Sequence, residues 1–207
     1  MQPKIVGGKI ALERELGKLD DFVLDFVSML DSCGIKYVLV SGYVAIVFGR
    51  SRATEAIGIL IEKADGEKFS CLWKKACEHL ECMNAFSEKE ALEEFLRQGL
   101  SIRFSQKGNW IPNMELKFVK TAFDESSLGN RLELQLSGNR LYISPLEQQI
   151  GYKLYLGSDQ DFGDALHLYR LFGSQLDKRL LLRVLMQFKV NKKLVGRLDE
   201  TLVEANG

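Results

Sequence analysis

No stretch of this 207-residue chain strings together the ~20 apolar residues that a membrane-spanning helix needs. Neither sign of charge predominates: 28 Lys and Arg stand against 28 Asp and Glu. No global field therefore draws the chain to nucleic acid or to an anionic bilayer, and only a local basic patch could do so. Cysteine is scarce. The four residues Cys33, Cys71, Cys77 and Cys82 include no Cys-x-x-Cys pair, and a chain of this size does not need disulfide staples. Cys77, His79 and Cys82 lie close in sequence, but their spacing fits none of the common zinc templates. The two thiols read more simply as packing residues. The first residues, Met1-Gln2-Pro3-Lys4, lack the charged-then-apolar layout of a secretory leader. These absences lead us to expect a cytoplasmic protein with no membrane partner.

What is present is an ordinary globular balance of 46% hydrophobic and 27% charged residues. A chain of this length can bury about 70% of its unfolded surface, so one domain, or one with a small helical appendage, is expected. Leu16, Leu19, Phe22, Val23, Phe26, Val27 and Leu30 recur at three- and four-residue intervals and predict an amphipathic helix closed by Gly34. Residues 37–40 read as a buried strand, 43–48 as a short helix and 56–62 as the next strand. Helices are expected over 65–80 and 88–98, the second capped by Ser87 with Glu90 three residues on. Strands at 101–106 and 114–120 flank the turn Lys107-Gly108-Asn109, and those at 132–136 and 141–143 form a hairpin around Ser137-Gly138-Asn139. Helical periodicity then takes over at 146–156, 161–172, 177–188 and 192–204. The expected architecture is a mixed α/β domain over residues 1–144 followed by a helical region over 145–207.

Between Tyr37 and Glu62 the chain reads YVLVSGYVAIVFGRSRATEAIGILIE: apolar strand, Ser41-Gly42 turn, short helix, a loop from Gly49 to Thr54, second apolar strand. A strand-to-helix junction of this kind aims backbone N–H groups where phosphates can rest. Ser41 adds a hydroxyl, and Arg50 and Arg52 flank the turn. Further on come Ser144-Pro145-Leu146-Glu147, then Lys153, then Asp161-x-x-Asp164-Ala165. The combination resembles the nucleotidyltransferase fold of the polymerase-β superfamily, and its AbiEii-like, toxin-type branch in particular. That family's pattern is Ser/Gly-Gly, a helix, Gly-x-x-Arg-x-Thr, then an acidic-apolar-acidic triplet opening the second strand. The resemblance runs from Leu16 to Phe172. It implies an α/β (α+β) fold with a mixed sheet, flanking helices and a helical C-terminal part. It also implies an NTP ligand held by Ser41, Gly42, Arg52, Thr54 and Lys153, Mg2+ as cofactor, an RNA or protein acceptor and an antitoxin-type partner. Glu115 takes the third acidic position, and Asp161 and Asp164 would order the helical part or assist the transferred group.

One departure stands out, because Ala56-Ile57-Gly58 occupies the triplet. Side chains two apart on a strand share a face, so an acidic-x-acidic triplet delivers two carboxylates to one metal pair and stabilises the attacking and leaving oxygens. Ala56 and Gly58 can ligate nothing. Glu55 alternates to the opposite face, and Glu62 lies about 13 Å beyond Gly58 along an extended strand. Glu115 alone leaves one ligand, enough only for weak Mg2+ binding assisted by substrate phosphates. The sequence therefore points to a catalytically impaired nucleotidyltransferase that keeps a nucleotide pocket. Its alternatives are an active metal-dependent transferase working through Glu115, and a ligand-free interaction module docking through the Cys71–Cys82 region and the helical tail. Glu147 suits the N-terminal end of its helix, Asp161 could be a cap, and His167 has the spacing of a partly buried, non-catalytic residue.

Overall fold

Two apolar runs, β3 (Tyr37–Val40) and β4 (Ala56–Ile61), pair antiparallel near the middle of a mixed sheet, with Val40 opposite Gly58 and Tyr37 opposite Ile61. The computed structural model describes residues 3–205. Within them, β1 (Ile5–Val6) and β2 (Lys9–Leu12) form an N-terminal hairpin, β5 (Leu80–Cys82) and β6 (Ile102–Gln106) pair at the other edge, and β7 (Asn113–Phe118), β8 (Leu132–Leu136) and β9 (Asn139–Ile143) complete the sheet. The strand order is β1-β2-β8-β9-β3-β4-β7-β6-β5. This is the mixed α/β architecture expected from the sequence.

Alternation along β4 decides which face is which. Ile57, Ile59 and Ile61 are buried, whereas Ala56, Gly58 and Leu60 are half-buried on the other side. Ile57 stands beside Met114 of β7, and Met114 beside Phe104 of β6, in a continuous apolar row. Phe104 meets Phe26 of α1 (Lys18–Ser32) and Trp73 of α3 (Gly66–His79), which identifies these helices as the cover of that face. Helix α1 buries the predicted stripe Phe22, Val23, Phe26, Val27 and Leu30, and Gly34 leaves it with φ +63°. Asp65 caps α3 by accepting from the Lys68 N–H.

The disulfide is a correction. Cys33, at the end of α1, is bonded to Cys71 of α3, although the chain's length gave no reason to expect a staple. Cys77 and Cys82 are free, half-buried thiols, and burial pushes both upward in pKa. Among the described residues no three His, Cys, Asp or Glu side chains gather to hold a metal, and no helix is long and apolar enough to cross a membrane.

The remaining helices are α2 (Gly42–Val47), α4 (Glu88–Glu90), which continues through a π turn at Ala91–Phe95 and a 3-10 turn at Leu96–Gln98, and α5 (Ala122–Gly129). After β9 come α6 (Leu146–Leu156), α7 (Asp159–Phe172), α8 (Lys178–Gln187) and α9 (Lys192–Ala205). Helix α6 packs against α7 and α8. Glu147 contributes more than a favourable helix dipole here, because its carboxylate accepts from the Asp177 N–H at the start of α8.

Candidate functional site

The second face of the sheet, unlike the one covered by α1 and α3, borders a cavity of about 670 Å3. Its floor comes from Ser41, Gly58, Leu60, Glu115 and Lys117, and its walls from α5, α6 and the end of α8. A smaller cavity of about 390 Å3, lined by Lys63, Arg97 and Lys120 among others, contains none of the residues singled out from the sequence.

Ala56, Gly58 and Leu60 face this side in register with Asn113, Glu115 and Lys117 of the parallel strand β7. The two missing carboxylates therefore belong to the cavity side of the sheet, and at Gly58 the room for a first side-chain atom is tight. A Cβ placed there would lie 3.0 Å from Val40 Cγ2 and 3.3 Å from Ser41 Cβ. Glu115 is the nearest carboxylate in register, and it already has partners: Lys117 Nζ at 3.3 Å and Arg103 Nη2 at 3.7 Å. Burial alone would raise the Glu115 pKa; Lys117, the Ser101 hydroxyl and Arg103 together bring it below the ordinary value. Glu62 lies at the far end of β4, bound to Lys68 Nζ at 2.8 Å and to the Lys36 N–H. Glu55 serves through its backbone carbonyl, which accepts from the N–H and side-chain amide of Asn113. The residues present do not fit a two-metal centre, because the donor set has shrunk to one carboxylate held between two side-chain cations.

The residues read as phosphate-holding divide into two groups. Ser41 and Lys153 line the cavity. Ser41 adopts φ +68°, a left-handed conformation that side chains rarely take, where the chain turns from β3 into α2. Arg52 and Thr54 instead build the loop, and Gly42, at the start of α2, makes room for it. The Arg52 guanidinium lies on Gly42, where an added Cβ would fall 2.0 Å from Nη2. Arg52 grips the fully buried Asp164 through Nε at 3.0 Å and Nη2 at 2.9 Å. The Thr54 hydroxyl donates to the Ala56 carbonyl and fixes the entry to β4.

Asp164 gathers more than Arg52. Arg50 approaches it at 3.6 Å, and Lys153 Nζ reaches it at 2.9 Å and Asp161 at 2.7 Å. The cap of α7 is Ser158 rather than Asp161: its hydroxyl accepts from the Asp161 N–H and donates to the Asp161 carboxylate. Although burial opposes it, Lys153 and Ser158 hold that carboxyl below the usual range. Arg50, Arg52 and Lys153 thus fasten α7 and α6 to the loop before β4. His167 extends the same seam, its Nε2 lying 3.0 Å from the Phe48 carbonyl.

Several residues of the cavity had no motif to reveal them. Phe123, Tyr152, Tyr155 and Phe188 form a contiguous aromatic wall with ring centroids 4.8–5.9 Å apart. Ser144, Gln148 and Gln149 are buried polar residues beside it. Gln148 is tied to Ser126 and Ser127, but Ser144 Oγ and Gln149 Nε2 have no hydrogen-bond partner. The one signal in the sequence was a pair of glutamines on the inward side of α6.

This arrangement defines a mixed α/β protein with a nucleotidyltransferase-like fold. An antigenic nucleotidyltransferase-like protein from Paracoccidioides brasiliensis superposes with a TM-score of 0.52 at 15% identity, over 86% of this chain and 91% of that one. JHP933 from Helicobacter pylori aligns over 93% of this chain and 98% of its own, with a TM-score of 0.41 at 12% identity. At such identities the first likeness concerns the fold alone, and the second is too loose to add to it. No protein-family model matches the sequence, and no curated protein matches it either.

Proposed function

We propose that this chain is a nucleotidyltransferase-fold protein that binds a nucleotide in the cavity beside β4 but is impaired in transferring it. The observation that carries the reading is the state of β4: Ala56 and Gly58 offer no ligand, and a side chain at Gly58 would crowd Val40 and Ser41. Losing metal stabilisation of several kcal/mol slows a reaction by orders of magnitude, at about tenfold per 1.4 kcal/mol. Binding has more support. An aromatic wall suits stacking of a base, since stacked and edge-on ring contacts are favourable beyond area burial. The unpartnered Ser144 hydroxyl and Gln149 amide favour a polar ligand, because buried polar atoms are costly when unsatisfied. Ser41 and Lys153 line the same cavity. Gly42, Arg52 and Thr54 act in this reading by shaping the loop.

The Gly49…Arg52-x-Thr54 and Asp161-x-x-Asp164 strings favour the AbiEii-like, toxin-type branch within the fold. An RNA or protein acceptor, an antitoxin-type partner and a cytoplasmic setting go with that assignment, as does a division into residues 1–144 and 145–207. Thermal-shift titration with each of the four NTPs, with and without Mg2+, tests the core of the proposal. A ligand at 100 times its dissociation constant adds about 2.7 kcal/mol of stability. Stabilisation by at least one NTP, without turnover when Mg2+ is added, is expected; no shift with any NTP in either condition would remove the nucleotide reading.

A further inference from the structure

Resting on that reading, we infer that Lys117, which lines this cavity, and Arg103, beside it in the same cross-strand row, take the place of the divalent metal, so that a polyphosphate binds directly to side-chain cations. Gly58, Glu115 and Arg103 stand in one cross-strand row over β4, β7 and β6. Lys117 is two residues beyond Glu115 and hence on the same face, opposite Leu60. Both cations approach the same Glu115 oxygen, at 3.3 and 3.7 Å. Their side chains are 49% and 46% exposed, so each can reach a ligand without unpacking the sheet. Lys117 lines the cavity itself.

Charge accounting supports the exchange. Two divalent ions held by three carboxylates leave one net positive charge facing the phosphates. One carboxylate with a lysine and an arginine leaves the same net charge with no metal. A surface ion-pair ladder would account for the distances alone, and such pairs contribute little. This row, however, borders a cavity that also contains a serine hydroxyl and a glutamine amide without partners. Glu115 becomes the element that spaces and aligns the two cations.

The experiment is isothermal titration of the whole chain with inorganic tripolyphosphate and with the four NTPs, in EDTA and in Mg2+. The variants are Lys117→Gln, Arg103→Gln and Glu115→Gln. Binding in EDTA is expected to equal or exceed binding in Mg2+, which neutralises the phosphates in solution. Lys117→Gln should weaken tripolyphosphate and NTP at least tenfold. Glu115→Gln should tighten both, because it removes the one negative charge on the row, whereas at a metal site the same change weakens binding. Wild-type binding that requires Mg2+, or Glu115→Gln that weakens it, overturns this inference and leaves the nucleotide reading standing. Lys117→Gln with unchanged affinity and unchanged thermal stability also overturns it. No binding by the wild type under either condition overturns both.

Discussion

Two groups of ion pairs meet the loop and strand that resemblance assigns to phosphate and metal, and they differ chiefly in access to water. Around Asp164, three cations and two carboxylates are packed between the Arg50–Thr54 loop, α6 and α7, and Asp164 has no exposed surface. Around Glu115, two cations share one carboxylate on a strand face, with half of each basic side chain in solvent. Burying charges is expensive, so a cluster built around a fully buried carboxylate depends on its cations, and removing that carboxylate leaves them uncompensated. A half-exposed row has no such penalty and little intrinsic stability to lose. The first group is therefore an anchor between segments 112 residues apart, and the second is free to exchange partners with a ligand. Lys153 belongs to both settings, since it lines the cavity while its Nζ is held by Asp161 and Asp164, and motif position alone passes over Lys117.

The most direct way to break this comparison is at Asp164. Asp164→Ala strands Arg50, Arg52 and Lys153 beside a buried gap, and a loss of about 3–5 kcal/mol is expected. Denaturant unfolding monitored by circular dichroism would measure it, and a loss below about 1 kcal/mol would put Asp164 in the same class as an exposed surface pair.

The glycines sharpen the contrast next. Gly42→Ala drives a methyl into the Arg52 guanidinium, and overpacking of this kind costs about 1–3 kcal/mol. Gly58→Asp meets Val40 and Ser41 at 3.0–3.3 Å with its first side-chain atom alone. A smaller loss is expected there than at Gly42, with partial recovery when Val40→Ala is added. The same geometry bears on revival of catalysis. Ala56→Asp with Gly58→Asp is expected to remain without Mg2+-dependent turnover, whereas adding Val40→Ala should produce measurable Mg2+ binding. Turnover in the double variant would show that the strand yields more readily than its contacts imply.

Much of this fold was legible because its signals are local. The apolar runs at 37–40 and 56–61, the Ser87 cap, the 132–143 hairpin and the C-terminal helices all follow from periodicity and capping residues within a few positions. Short or non-local features were not. The hairpin Ile5–Leu12 is held partly by parallel pairing with β8, more than a hundred residues later. Helix α5 carries its signal in Thr121 and Asp124, a reciprocal cap on a helix of only eight residues. Cys33 and Cys71 meet only because α1 and α3 share a sheet face. In the site, the missing carboxylates were readable from residue type. The crowding beside Gly58 was not, since it depends on Val40 across the strand pair. Another hidden contact is the network at Asp20, which accepts from Arg14 through both guanidinium arms, from Tyr43 and from the Gly17 N–H.

The smallest expected effects test the two groups through protons. Asp161 in the sealed cluster and Glu115 in the open row both have depressed carboxyl pKa values. A depressed folded-state value means the contribution to stability is fully present above the unfolded value, about 4 for carboxylates. It is lost as pH falls through the folded value. Asp161→Asn should flatten the acid-side decline of stability below about pH 4. Glu115→Gln should also flatten it, but by less, because half-exposed Lys117 and Arg103 are solvated when it protonates. At neutral pH Glu115→Gln should cost no more than about 1 kcal/mol. Equal flattening by the two variants, read from urea unfolding between pH 3 and 7 (about the carboxylate range upward), would erase the distinction between anchor and row. A larger effect at Glu115 would reverse it, making the open row the structural element.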